Sequence, residues 1–352
     1  MKICVIATAL EHVSACISLT PSTHAFTINP STLSTNPPSP LSERFSQFPK
    51  ALASHAVSVR IGNVPCLLVH PDWRTKRPML FWMHGRTSNK ELDAGRYLRC
   101  MRAGIACCAI DLPGHGERSD AEMQTHAGTL NIIEQAGTEI DEVLEQLVDE
   151  ATLARASRLA EQAGAFASDA VQPATESGTQ EQQRVHASNV NNELFDIDNC
   201  AIGGMSLGGM TSLARLCRAH AFKACVLECS TGWFEGLYLP HLAGTSSKPW
   251  PTQHDPLRVR KLDPMARLAG FTPLPVLAMH SLADAIVPWT VQRTFLDVLR
   301  SHYARLGAPP TLIETRTWPT TGAPEEHSGF GKVAAEAKTV LTDFLVRTLQ
   351  PT

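Results

Sequence analysis

The stretch Gly204-Met205-Ser206-Leu207-Gly208 constrains this chain more than any other. It joins an apolar run, Cys200 to Ile202, to a helix-like run, Met210 to Ala219. A G-x-S-x-G at a strand-to-helix junction demands a turn so tight that the residues flanking the serine must be small. A side chain at 204 or 208 would collide with the neighbouring strand or helix, so glycine stands at both. The turn lifts the Ser206 hydroxyl clear of the backbone. It also leaves the first amides of the following helix unpaired, ready to meet negative charge. Alone the pentapeptide is a weak signal, because Gly and Ser are common; its weight comes from the segments around it.

A serine hydroxyl is a poor nucleophile at neutral pH and needs a base, which in turn needs an orienting acid. Asp284 follows the apolar strand Pro275 to His280, in the segment His280-Ser281-Leu282-Ala283-Asp284-Ala285-Ile286-Val287-Pro288. That places a carboxylate just past a strand end, the edge where ligands and catalytic groups gather in open α/β sheets. Its simpler role is a turn residue, or N-cap of a helix beginning near Trp289. His327, in Glu325-Glu326-His327-Ser328-Gly329-Phe330, follows the strand-like Thr311 to Trp318 and precedes a last amphipathic helix near Gly331 to Leu349. The chain has 14 histidines, so a loop histidine is by default a solvated one. What singles out His327 is order: Ser206, then Asp284, then His327, each after its own strand.

Pro78 to Met83 reads as a buried strand, and His84-Gly85-Arg86-Thr87 follows it. Glycine there lets the chain turn beneath a substrate carbonyl. The next backbone N–H, that of Arg86, then pairs with the N–H of Leu207 as an oxyanion site; the plainer alternative is an ordinary strand-ending turn. Ile110-Asp111-Leu112-Pro113-Gly114-His115-Gly116-Glu117-Arg118 forms a tight loop at another strand end. His115 precedes the nucleophile and is expected to be a pocket wall, not the base.

On these residues the chain resembles the α/β-hydrolase superfamily, and within it the dienelactone-hydrolase-like and prolyl-oligopeptidase-like branch. The matching motifs are His84-Gly85, the D-x-P-G-H-G-x-R block from Asp111 to Arg118, Gly203 to Met210, the D-x-x-V-P segment from Asp284 to Pro288, and the H-x-x-F from His327 to Phe330. They run in order from about Val57 to Leu349 and say little about substrate. The resemblance implies an α/β fold: a mostly parallel twisted sheet with helices on both faces. It implies Ser206, Asp284 and His327 as catalytic residues, with Leu207 and Arg86 donating to the oxyanion, and neither metal nor organic cofactor. Two residues depart from the pattern. Ser281 stands where glycine is common, and Glu325-Glu326 precede the base where glycine is usual. Two carboxylates beside an imidazole are expected to favour its protonated form and raise the acidic limb of the pH–rate curve.

The chain has 352 residues, a net charge of -3 and a pI near 6.5, which gives no reason to expect nucleic acid or an anionic membrane as partner. It is 43% hydrophobic and 18% charged, as a globular enzyme is. No run approaches the roughly 18 apolar residues of a spanning helix. Ten cysteines at irregular spacing include no C-x-x-C pair. Cys107 and Cys108 should point to opposite faces of one strand. Thiols on apolar strands, with Cys225 and Cys229 flanking another strand end, suggest a reducing, cytoplasmic compartment.

Residues 1–50 read as a leader or linker, rich in Ser, Thr and Pro from Pro21 to Ser42 and expected to be disordered; if Ile3 to Leu10 is a signal peptide, the protein is exported. Residues 51–350 form the α/β-hydrolase domain. Strands are expected at Val57 to Arg60 and Val64 to Val69, and helices at Glu91 to Arg102, Leu207 to Ala219, Val291 to Tyr303 and Lys332 to Leu349. An excursion spans about 119–196. In it Ile140, Val143, Leu144, Leu147, Val148 and Ala151 recur at helical spacing, with Glu139 and other acids on the outer face; Ala165 to Ala187 is polar, and serves either as a lid or as a tolerated surface insert. A second cap segment, about 230–267, carries Trp233, Phe234, Tyr238 and Trp250 for pocket or local packing.

The expected activity is hydrolysis of a small-molecule carboxylic ester through an acyl-enzyme. Rival readings are a peptidase of prolyl-oligopeptidase type, a thioesterase or acyltransferase, and a non-catalytic binding module. The peptidases usually carry a propeller domain that about 50 leader residues cannot supply. A binding module generally loses one of the three side chains.

Overall fold

Strands of unbroken apolar sequence are stable only where both sheet faces are covered. The computed structural model, which describes residues 48–162, 194–245 and 250–349, places them in that setting. Eight strands, β1 (Ala56–Ile61), β2 (Val64–Val69), β3 (Arg77–Met83), β4 (Ala106–Ile110), β5 (Phe195–Met205), β6 (Ala224–Glu228), β7 (Val276–Ser281) and β8 (Ile313–Trp318), form one sheet in the order β1-β2-β4-β3-β5-β6-β7-β8. β2 is antiparallel to both its neighbours; from β4 to β8 every pair is parallel.

Six helices of nine residues or more are found among the described residues: α1 (Ala94–Arg102), α2 (Thr129–Leu147), α3 (Glu150–Gln162), α4 (Leu207–Leu216), α5 (Trp289–Arg305) and α6 (Ala334–Thr348). The strand period of two decides which helix each residue meets. Phe81, Cys108, Ile202, Leu227 and Ala278 pack with Ile133 and Ile140 of α2, Leu213 of α4 and Phe295 of α5. Their neighbours Trp82, Cys107, Ala201, Val226 and Leu277 join Tyr97 of α1 and Leu341 and Phe344 of α6. Each such Leu, Ile or Phe contributes about 1.5–3 kcal/mol by leaving water. Cys107 and Cys108 do face opposite layers. The eight cysteines of the described residues are buried free thiols.

The expected α/β fold with helices on both faces is thus found, with boundaries that differ in detail. α1 starts at Ala94, not Glu91, and α6 at Ala334 after a short turn. α2 ends at Leu147, so Val148 caps it and is 38% exposed instead of continuing the buried stripe. Glu139 is not on a solvated acidic face: it is buried and takes two hydrogen bonds from the Arg118 guanidinium, at 2.7 and 2.6 Å. The first half of the 119–196 segment supplies core helix α2, which buries ten residues. Ala165 to Ala187, the candidate lid, and residues 1–47 of the leader lie outside the described residues.

Register matters for the site. Met83 lies level with Ile110 and with Gly204, Met205 with Glu228, and Ser281 with Trp318. The parallel strands therefore end together, and the loops after β3, β5, β6, β7 and β8 leave from one edge.

Candidate active site

β5 runs into Gly203 and Gly204 and stops at Ser206, whose φ of 50° and ψ of −114° are unusual for a non-glycine residue. Such a conformation costs on the order of 1–3 kcal/mol and persists only where neighbours over-determine it. Here they do. The Ser206 N–H donates to the Glu228 carbonyl (2.8 Å), and its carbonyl accepts from Met210 N (3.0 Å) and Ser230 Oγ (3.0 Å). Glycine is mandatory on both sides. A Cβ at 204 would lie 2.4 Å from the carbonyl carbon of Gly208, and one at 208 would lie 2.3 Å from the Met83 carbonyl oxygen.

The loops after β7 and β8 bring the other two side chains to this hydroxyl. His327 Nε2 is 2.8 Å from Ser206 Oγ, and His327 Nδ1 is 2.8 Å from Asp284 Oδ2. Asp284 Oδ1 accepts from the N–H groups of Ile286 (2.9 Å) and Val287 (2.7 Å), so the residue caps its own turn as well as facing the imidazole. With a carboxylate at Nδ1, the ring proton sits there and the Nε2 lone pair is free for the serine O–H. All three residues are less than a tenth exposed. Beneath them His280 Nε2 donates to the Val287 carbonyl (2.8 Å), and burial lowers the pKa of its ring.

The two departures from the usual pattern are partners. Ser281 Oγ donates to Glu326 Oε2 (2.8 Å), and Glu326 also accepts from Thr321 N (2.5 Å), Thr321 Oγ1 (2.9 Å) and Gly322 N (2.8 Å). These donors, the Thr321 amide foremost, hold the Glu326 carboxyl down at about 2. The Ala285 N–H donates to the Glu325 carbonyl (3.0 Å), a second tie between the same loops. The expectation that both carboxylates bear on the imidazole is therefore corrected for Glu326, whose oxygens are committed to the loop. Glu325 and Glu326 have φ of 54° and 53°, which explains why glycine suits this place elsewhere.

After β3, His84 Nδ1 donates to the Gly85 carbonyl (2.7 Å) while its Nε2 accepts from Leu112 N (3.0 Å). Only the neutral ring can do both, and burial lowers its pKa to about 4. With the Gly85 carbonyl turned to His84, the trans peptide aims the Arg86 N–H the opposite way. A Cβ on Gly85 would lie 3.6 Å from Ser206 Cβ, so this strap passes beside the serine. The Arg86 guanidinium pins it through Gln124 O (2.8 Å), Thr125 O (2.6 Å) and Thr129 Oγ1. Leu207 opens α4, so its N–H has no partner within the helix. His115 is not a pocket wall. Gly114 and Gly116, at φ of 73° and 54°, fold its loop back, and the ring is buried 5.3 Å from that of His84 with Nδ1 donating to Pro113 O (2.8 Å).

A cavity of about 690 Å³ opens over Ser206. Tyr238 and Trp250 line it in a T-shaped pair (4.9 Å), and His126 meets the Trp250 edge at 5.1 Å. The other aromatic candidates do not reach it: Phe234 is core, and Trp233 packs against the core. Sequence reasoning missed a charged group in the lining. Arg96, stacked 3.9 Å over Trp82, binds Glu228 (2.6 Å) and Asp93 (3.1 Å), and Lys338 reaches Asp93 (2.8 Å). Its one sequence signal was Glu228, a carboxylate closing the apolar run Ala224 to Leu227.

The model of the prolyl oligopeptidase family matches residues 164–350, more than half of the chain. No curated protein matches the sequence. Among solved structures, TT1662 from Thermus thermophilus is 17% identical with a TM-score of 0.51, over 84% of this chain and 98% of its own. Acylaminoacyl peptidase from Pyrococcus horikoshii is 15% identical, TM-score 0.52, over 84% and 41%. Dipeptidyl peptidase 4 from Porphyromonas gingivalis is 14% identical, TM-score 0.52, over 84% and 35%. The chain thus spans about two-fifths or less of these two peptidases and nearly all of the Thermus protein. At such identities the likeness is one of fold.

Proposed function

This chain belongs to the prolyl oligopeptidase family of serine hydrolases, and from that premise we propose that it hydrolyses carboxylic esters of small molecules with Ser206 as nucleophile. The observation that carries the reading is the unbroken chain of hydrogen bonds, each 2.8 Å, from Ser206 through His327 to Asp284. His327 takes the serine proton as Oγ attacks the ester carbonyl. Asp284 keeps the imidazole in the productive tautomer and stabilises the imidazolium. The N–H groups of Leu207 and Arg86 receive the oxyanion; one such donor is worth about 10²–10³ in rate. His327 then protonates the leaving alkoxide, and water repeats the cycle on the acyl-enzyme. The cavity volume of about 690 Å³ supports a small substrate, since such sites run from about 300 to 1,000 Å³.

Peptide hydrolysis is the second reading, favoured by the family itself. Parallel assays with p-nitrophenyl esters of graded chain length and aminoacyl-p-nitroanilides separate the two. The ester reading expects turnover of the esters and fluorophosphonate labelling, both lost in Ser206→Ala. Faster turnover of the anilides would replace it with the peptidase reading. A folded wild-type protein that takes no label would remove the catalytic assignment altogether.

A further inference from the structure

Cys229 differs from the other buried thiols in what its sulfur faces. The residue follows β6 with φ of 46°, and its N–H donates to the Met279 carbonyl (2.9 Å), which holds it against the end of β7. Its Sγ, a carboxylate oxygen of Asp284 and a ring nitrogen of His327 all lie within 4.8 Å of one another, and all three residues are buried. No other group of three or more such donors is found among the described residues. Thiolate, imidazole and carboxylate are the ligands zinc takes, and bonds of about 2.0–2.3 Å in a tetrahedral site put neighbouring ligand atoms roughly 3.5 Å apart. To reach that spacing the His327–Asp284 pair, now 2.8 Å apart, opens by less than about 1 Å, and the sulfur moves in from within 4.8 Å.

We propose that Cys229, Asp284 and His327 form an inhibitory site for a thiophilic divalent cation of the zinc class, which turns the hydrolase off by capturing the ring nitrogen that Asp284 now holds. The proposal rests on the reading of His327 as the base. On binding, the Cys229 S–H bond is replaced by a sulfur–metal bond and its proton leaves to solvent. His327 Nδ1 gives its lone pair to the metal; the ring loses the Nδ1 proton and gains one at Nε2, so it stays neutral. An Asp284 oxygen is the third ligand and a water the fourth. Nothing is oxidised or reduced. A ring protonated at Nε2 presents N–H to Ser206 and has no lone pair for its proton, so the nucleophile is not activated.

The test uses the metal-stripped full chain and its Cys229→Ser and Cys229→Ala variants, each checked for a cooperative thermal transition. Ester hydrolysis and fluorophosphonate labelling of Ser206 are followed against buffered free Zn²⁺. Cd²⁺ binding is followed separately by its thiolate charge-transfer absorbance, which needs no turnover. Zinc should inhibit the wild type reversibly, with activity restored by EDTA, and should slow labelling. Each variant, measured against its own zinc-free rate, should be inhibited at least about 10–100-fold more weakly, the loss that even an outer-shell partner causes. The cadmium band should shrink in both variants. Equal inhibition of wild type and variants would overturn the proposal, as would a Cys229-dependent cadmium band with labelling unchanged. If the metal-free wild type neither turns over nor labels, the hydrolase reading fails and the switch with it, while the cadmium titration still decides whether the cation binds.

Discussion

Asp284→Asn tests the site most sharply, because the structure dictates which way the new amide must face. In the wild type Oδ1 accepts two backbone N–H groups, from Ile286 at 2.9 Å and Val287 at 2.7 Å. Only the amide oxygen of asparagine can serve them. Its NH₂ then occupies the place of Oδ2, 2.8 Å from His327 Nδ1. A donor there forces Nδ1 to be the acceptor and moves the ring proton to Nε2, where it faces Ser206 Oγ. Flipping the amide would rescue the tautomer but leave two buried N–H groups facing an NH₂, at about 1–3 kcal/mol each. The variant should therefore fold with a near-native Tm, keep KM, and lose about 10⁴ in kcat, the cost of the wrong tautomer in a serine protease. At 1.36 kcal/mol per decade that is about 5.4 kcal/mol of activation free energy. Steady-state p-nitrophenyl ester hydrolysis measures it, and slowed fluorophosphonate labelling should accompany it. A folded Asp284→Asn enzyme keeping more than about a hundredth of wild-type kcat would refute the tautomer argument.

Gly208→Ala and Gly204→Ala should lower Tm sharply or prevent folding, since the added methyl meets backbone at 2.3 and 2.4 Å; Gly85→Ala, whose methyl would sit 3.6 Å from Ser206 Cβ, should keep Tm and lose kcat. Glu326→Ala should loosen the tie between the β7 and β8 loops. Because the folded pKa of Glu326, about 2, lies below its unfolded value of about 4.3, the Tm gap between wild type and variant should be constant above about pH 5 and close as pH falls toward 2. His70 and His84 are both lowered to about 4 by burial. The unfolded chain therefore binds protons near pH 6.5 that the native chain refuses, and urea midpoints should fall as pH drops from about 6.5 to 4. A His84→Gln variant, with one such group removed, should show a shallower slope.

The strands and the order of the three side chains were legible because each rests on local necessity. A tight turn needs Gly204 and Gly208, and a doubly covered strand needs runs such as Met79-Leu80-Phe81-Trp82-Met83. What local pattern leaves open is partnership. Glu139 lies at helical spacing with other acids and reads as solvated; Arg118, on the loop after β4, turns it inward. His115 sits on a strand-end loop and reads as a pocket wall, yet the positive φ of Gly114 and Gly116 sends it behind His84. Helix starts slipped by two or three residues for two reasons: Asp93 stands at the N-cap of α1 in a left-handed conformation and makes no capping hydrogen bond, and Val333, which precedes α6, has no capping group.

Partnership also explains why two residues that look like defects are one device. Taken singly, Ser281 costs a glycine where the acid loop begins, and Glu326 puts a side chain where positive φ favours none. Together they exchange a hydrogen bond of 2.8 Å that fastens the loop bearing Asp284 to the loop bearing His327. Pairs brought together across 45 residues of sequence leave no mark on either segment alone. The same holds for Glu228. Its carbonyl takes the Ser206 N–H at 2.8 Å, and its carboxylate takes Arg96 at 2.6 Å. One residue thus fastens the strained Ser206 turn and the charged wall of the cavity to the same strand end. Replacing Glu228 with Gln would keep the first bond, which is backbone, and weaken the second, which is charge-assisted. Ser206 should therefore still be labelled by a small fluorophosphonate, while KM for substrates that reach Trp82 and Arg96 changes. Loss of labelling in a folded Glu228→Gln protein would mean that the carboxylate, not the carbonyl, holds the turn.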